Sequence, residues 1–278
     1  MNAQELEEWD NTKIANLFVL KEYYHHHAYE ILNTHSALRD DFKKSLTSVI
    51  AIETRVKRTG EKKSKGIKAD FLNKEIRKLL HVIPNSDVKF EVNEKRGVFY
   101  FSAEKSSIGG FDFAILNHRK NLVALRNLCF GELHYDDGIA RWEKFLKKNA
   151  DFSAIADSLI NAEGIGIDLE YEENDTDTPL LVGEIQFGNW ALVYRDFFKV
   201  LKANVQNSID CLIYIVPTGH LEMMLSNSIV TFDKTKKVLK DFTKVISVPV
   251  WIIGLDIQVD IQKVEIDESP INVQTLPK

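Results

Sequence analysis

Two cysteines, Cys129 and Cys211, are all the thiols in a chain of 278 residues. So few exclude a disulfide framework, and their separation excludes a cysteine zinc site. Each lies inside an apolar run, so both are expected as buried thiols in a reducing compartment. No hydrophobic run is long enough to span a bilayer; the longest, 211–216 and 248–255, have the length of strands. The N-terminal stretch holds Glu5, Glu7, Glu8 and Asp10, the reverse of a secretory signal. Internal repeats and low-complexity linkers are missing too. Nor is there an excess of positive charge, and a net charge of −5 argues against a purely electrostatic nucleic-acid binder. What is present, 44% hydrophobic and 28% charged residues, is ordinary globular composition and excludes collagen, a long coiled coil and wholesale disorder. A soluble cytoplasmic protein with no membrane partner is expected. Its length allows one large domain or two small ones.

The charge is segregated along the chain. Between Arg55 and Lys78 stand ten Lys or Arg against Glu61, Asp70 and Glu75. Between Glu163 and Asp177 stand seven acids and no base. A basic segment joined to a carboxylate-rich one suits a protein that grips a polyanion and holds a divalent cation. A solvated loop and a solvated hairpin account for the same two segments.

Apolar spacing predicts helices over 5–32, 36–52, 70–80, 141–148, 152–160, 190–202 and 234–245. Strands are predicted over 88–92 and 97–102, as a hairpin, and over 111–116, 165–171, 180–187, 208–216 and 249–255. Residues 59–66 read as a glycine-bounded basic loop. The run His25-His26-His27 is not a metal cluster if helical, because consecutive helical residues point three ways. Alternating strands and helices after residue 163 predict an α/β fold, a mixed central sheet flanked by helices.

The segment 164–189, GIGIDLEYEENDTDTPLLVGEIQFGN, carries the most information. Pro179 cannot donate a ladder hydrogen bond, so it belongs at the start of its strand. The connecting loop then centres near Thr176, and Asp168 falls opposite Glu184. Such partners have Cβ atoms roughly 5 Å apart and share a face. Two carboxylates that close call for a cation, and oxygen ligands favour Mg²⁺. Glu170 joins the face of Asp168, and Gln186 the face of Glu184. An exposed acidic hairpin is the other reading, but Leu180, Leu181, Val182 and Ile185 are too apolar for one.

An Asp on one strand followed on the next by Glu-x-Lys, or a variant, resembles the PD-(D/E)xK nuclease core. The variant Glu184-Ile185-Gln186-Phe187-Gly188 is similar to the E-x-Q-F-G of type II restriction endonucleases of the BglII and BstYI kind. The resemblance continues through 190–201, Ile209 to Pro217, and Pro249 to Gly254, and more weakly over 23–80. It implies one restriction-endonuclease-like domain over 1–278, with its catalytic core at about 163–257. A helical and basic-loop part precedes the core at about 1–85, and about 102–162 reads as an insertion. Two features depart from the BglII pattern. BglII-like enzymes place the metal-binding Asp nine residues before the Glu, which selects Asp175, whereas BamHI-like spacing selects Asp168, as does the hairpin register. Asn189 stands where BglII-like enzymes have Lys, and Asn189 with Arg195 resembles BamHI-like enzymes instead.

The resemblance implies hydrolysis of double-stranded DNA by a homodimer at a short palindrome, GATC-centred, leaving 5′-phosphate and 3′-hydroxyl ends. Mg²⁺ would be held by Asp168, Glu184 and the Ile185 carbonyl, with Gln186 orienting water or meeting the phosphate, and Glu143 as a third acid. Lys62, Lys63 and Lys65 read as phosphate contacts. Asn189 and Arg195 suit base edges, since Asn pairs with adenine and Arg with guanine. Ser226, Asn227 and Ser228 resemble a recognition loop. An inactive DNA-binding module and a repair nuclease are the other readings of the same core.

Overall fold

Residues Thr12–His25 form a strand, β1, where a helix was expected. The spacing of Ile14, Leu17, Phe18 and Leu20 suits a helix, but Thr12, Ile14, Val19, Tyr23 and Tyr24 favour a pleated, half-buried surface. The computed structural model describes residues 8–9, 11–59, 62–101, 109–131, 135–160, 178–205 and 209–259. Short helices α1 (Ala28–Thr34) and α2 (Ser36–Ser45) follow β1. The helix expected over 36–52 stops at Ser45 because Val49, Ile50, Ile52 and Val56 belong to β2 (Ser48–Thr59). The expected basic loop is mostly strand: β2 pairs antiparallel with β3 (Lys62–Ile67), Arg58 opposite Lys63 and Val56 opposite Lys65.

Helix α3 (Ala69–His81) matches its periodicity and buries Leu72, Ile76 and Leu80. Strand β4 (Val88–Val92) then pairs with β5 (Phe111–Ile115), not with 97–102. The expected hairpin fails because Asn93 Oδ1 accepts from Arg96 N at 3.0 Å, closing a 3-10 turn. Gly97 ends that turn at φ 66°, a conformation only glycine adopts freely. Helices α4 (His118–Phe130), α5 (Gly138–Lys148) and α6 (Ser153–Ile160) lie between β5 and β6 (Leu181–Ile185). Strand β5 thus falls inside the stretch expected as an insertion. The chain continues through α7 (Leu192–Val205), β7 (Cys211–Pro217), α8 (Gly219–Met224), α9 (Phe232–Asp241) and β8 (Val250–Val259).

The eight strands make one mixed sheet in the order β3-β2-β1-β8-β7-β6-β5-β4. Strands β6, β7 and β8 run parallel, and the other pairs are antiparallel. Every residue of β6 and β7 is buried, as strands covered on both faces require. Helices α1 to α3 cover one face through Leu32, Phe42, Ile76 and Leu80 around Trp251. Helices α7 and α9 cover the other through Phe197, Val200 and Leu239 around Tyr214. Each such fully buried side chain contributes roughly 1.5–3 kcal/mol. Helices α4 to α6 pack a third cluster around Leu125, Leu128 and Trp142. Cys129 and Cys211 are both buried. The histidine run is structural: His25 and His26 each set a ring nitrogen 2.9 Å from the Ile246 carbonyl. Among the described residues no helix is long and apolar enough to cross a membrane.

Candidate active site

Strand β6 carries Glu184 near its C-terminal end, with both of its edges taken. Phe113 of β5 pairs antiparallel with Gly183, and Tyr214 of β7 lies parallel to Glu184. The partners of β6 among the described residues are thus β5 and β7, and the strand expected over 165–171 lies outside the described residues. Asp168 and Asp175 lie outside the described residues. Among the described residues the acid facing Glu184 from the next strand is Asp112, one step along β5 from the Phe113–Gly183 pair. Asp112 Oδ2 accepts from Ile185 N at 2.8 Å, and Oδ1 accepts from Arg77 Nη2 at 3.1 Å. Arg77 Nη1 also pairs with Glu91 Oε1 at 2.6 Å. Close approach of the strands depends on Gly183, whose absent Cβ would lie 2.0 Å from the Phe113 ring.

Glu184 is 3% exposed, and Lys199 from α7 forms an ion pair with it. Lys199 Nζ also donates to the Gly110 carbonyl at 2.7 Å and lies 3.9 Å from Asp196 Oδ1. Burial pushes the Glu184 carboxyl up to about 8. The Lys199 charge opposes that rise, and the carboxylates of Asp112 and Asp196 reinforce it. Burial raises Asp112 too, against the pull of the Ile185 N–H and Arg77.

Gln186 points inward. Its Nε2 donates to Asp196 Oδ2 at 2.9 Å, and its Oε1 accepts from Gly188 N at 2.9 Å. A Cβ on Gly188 would sit 2.8 Å from that oxygen, which explains glycine there. Asp196 is fully buried and also accepts from Tyr214 Oη at 2.9 Å and from Arg195 Nη2 at 3.0 Å. A buried carboxylate with this many donors is compensated for leaving water. Arg195 thus spends two of its donors, Nε and Nη2, on Asp196.

The remaining expected residues gather on one surface. Exposed Asn189 accepts from Ala191 N at 2.9 Å and opens α7. Next to it runs the 226–228 loop: Trp190 N donates to the Ser228 carbonyl at 3.0 Å, and Asn189 bridges to Ile229. The basic hairpin borders that loop. Arg55 Nη2 donates to Ser226 Oγ at 2.9 Å, and Lys57 Nζ donates to the Leu225 carbonyl at 2.6 Å. Arg55, Lys57, Arg58, Ser226 and Asn227 line a cavity of about 290 Å³. Lys62 and Lys63 are exposed on β3, and Lys65 lies over the Trp9 ring at 4.6 Å. Glu143 is exposed on α5 and meets no other acid of the site.

Spacing arguments missed Asp112, Asp196, Lys199 and Arg77. Two of them had a sequence signal. Asp196 and Lys199 share the apolar face of α7 with Val193, Phe197 and Val200, where a polar residue needs a partner. Oxygen donors at Asp112, Glu184 and the Ile185 carbonyl suit a hard divalent cation. Among the described residues no three acidic, His or Cys side chains converge on one point, and the ammonium of Lys199 stands at Glu184.

Paired carboxylates, together with an Asn-led helix that the 226–228 loop joins to a basic hairpin, suit a nuclease working on a polyanion. The chain matches the family described as restriction endonuclease BglII/BglIII over residues 20–255. It belongs to that family and is a type II site-specific endonuclease that cleaves DNA. Two solved structures are similar to it. BglII complexed with a DNA 16-mer has 14% identity and a TM-score of 0.43, over 87% of this chain and 77% of that one. Free BglII has 13% identity and a TM-score of 0.36, over 87% and 78%. No curated protein matches the chain.

Proposed function

We propose that the chain hydrolyses double-stranded DNA with Mg²⁺ at a short, GATC-centred palindrome, as a two-fold homodimer. The ends left are 5′-phosphate and 3′-hydroxyl. The observation that carries this is Asp112 beside Glu184, joined through the Ile185 N–H. Those two carboxylates and the Ile185 carbonyl would hold the cation. A cation held there would supply a water of lowered pKa and polarisation of the scissile phosphate.

The protein's own residues do the rest. Lys199 keeps the carboxylates neutralised before the cation arrives and holds Glu184 in place. Asp196 fixes Gln186, two positions after Glu184 along the chain, whose amide would orient water or meet the phosphate. Asn189 and the loop Ser226, Asn227 and Ser228 read base edges. Arg195 has donors left beyond Asp196 for a guanine edge. Lys62, Lys63 and Lys65 hold backbone phosphates. Two copies related by a two-fold axis match the two equivalent strands of a palindrome.

In this proposal Asp112 fills the role expected of Asp168, which lies outside the described residues. Digestion of plasmid DNA tests the proposal. Discrete fragments with Mg²⁺, none in EDTA, and two protomers per site by gel filtration are expected. A smear, or cleavage that survives EDTA, contradicts it.

A further inference from the structure

Helix α5 and the 3-10 turn Glu94–Arg96 face each other across a cavity of about 610 Å³. Lys95, Arg96, Arg141, Lys144 and Lys148 line it, against the carboxylates of Glu94 and Asp137. Arg141 is paired with Asp137. Among the described residues Lys95, Arg96, Lys144 and Lys148 form no ion pair. Positions 141, 144 and 148 share one face of α5, since three and seven residues approximate whole helical turns. The floor is aromatic and fixed: Arg141 lies 4.0 Å over the Tyr135 ring, and Tyr100 meets Phe145 edge to face at 6.1 Å. Tyr100 Oη donates to the Gly97 carbonyl at 3.1 Å, which ties the turn to that floor.

Gathering these cations around one hollow costs self-repulsion, and nothing among the described residues requires it. A polyanion relieves that cost. The position of the cavity selects which one. The turn leaves the sheet directly after β4, and Glu91 near the end of β4 shares Arg77 with Asp112. Lys95 and Arg96 therefore stand at the end of the sheet that carries the catalytic carboxylates. A duplex engaged there presents its flanking backbone to the edge strand.

We infer that this cavity binds backbone phosphates of the duplex outside the recognised base pairs, so that the helices between β5 and β6 lengthen the DNA footprint. The inference rests on the DNA-cleaving reading above. Binding in Ca²⁺ would be measured against salt on two duplexes that carry the mapped cleavage site, one with short and one with long flanks. The protein with Lys144→Ala and Lys148→Ala is compared with the unaltered one; both lysines are exposed, so folding is retained.

On the long duplex the slope of log K against log salt is expected to fall by roughly 2, near 0.9 per lost phosphate contact. On the short duplex the slope and the Mg²⁺ cleavage rate stay unchanged. Equal slopes for the two proteins on the long duplex would overturn the inference. So would an equal loss on both duplexes, or binding of free ATP at the cavity with no change in slope. Failure of the unaltered protein to bind either duplex would instead sink the DNA-cleaving reading, and this inference with it.

Discussion

Asp112 and Glu184 are neighbours across the β5–β6 boundary, and the Asp112 carboxylate takes the hydrogen bond of Ile185 N at 2.8 Å. A side chain there replaces a main-chain acceptor at the end of the ladder. The acid is thereby fixed beside the buried Glu184 by the sheet itself and by Arg77. The pair is built from strands separated by three helices, so the site depends on the whole sheet and not on a local hairpin.

Lys199 balances the charge of this pair. Removing one partner of a buried ion pair strands the other, at a cost of about 3–5 kcal/mol. Lys199→Met is expected to lower the melting temperature sharply in EDTA at pH 9, where Glu184 is ionised. Ca²⁺ should recover part of the loss, because it supplies the missing positive charge. Equal melting of the two proteins in EDTA would show that Glu184 does not need Lys199.

The Glu184 carboxyl, pushed up to about 8, sets a pH dependence. Below that value it holds a proton that a cation must displace. Affinity for Ca²⁺ should climb about tenfold per pH unit up to about 8 and then level off. Without metal the sign reverses for stability. A raised carboxyl pKa stabilises the fold fully below the unfolded value of 4.5, and that contribution is lost as pH rises through about 8. Calorimetric titration between pH 6 and 9 checks the binding; a flat profile would contradict it.

Gly183 permits the close contact of β5 and β6. In Gly183→Ala the new methyl would fall 2.0 Å from the Phe113 ring. Overpacking of this kind costs about 1–3 kcal/mol. Urea unfolding should show that loss, and Phe113→Leu in the same chain should return part of it. No loss in the single variant would mean the strands are spaced more widely.

Much of this was legible in the sequence. The unbroken apolar runs of β7 and β8 read as buried strands, and α3, α5, α6 and α7 followed from their periodicity. Glu184 and Gln186 stood out by spacing and by resemblance. Asp112, the proposed partner, did not, because it lies 73 positions from the Ile185 it contacts. Hairpin arithmetic sees only neighbours along the chain. Strand β1 was misread because Ile14, Leu17, Phe18 and Leu20 match helical spacing, whereas the buried face of β1 alternates through Ala15 and Leu17, and strand pairing with β2 and β8 decided the matter.

The central claim is that Asp112 and Glu184 together are the acids of cleavage. The direct test is single-turnover cleavage in Mg²⁺ by Asp112→Asn and Asp168→Asn, with DNA binding in Ca²⁺ as the control for folding. Asp112→Asn is predicted to cleave slower by orders of magnitude while still binding the duplex, and Asp168→Asn to cleave at nearly the unaltered rate. Full cleavage by Asp112→Asn, with cleavage abolished in Asp168→Asn, would contradict the account.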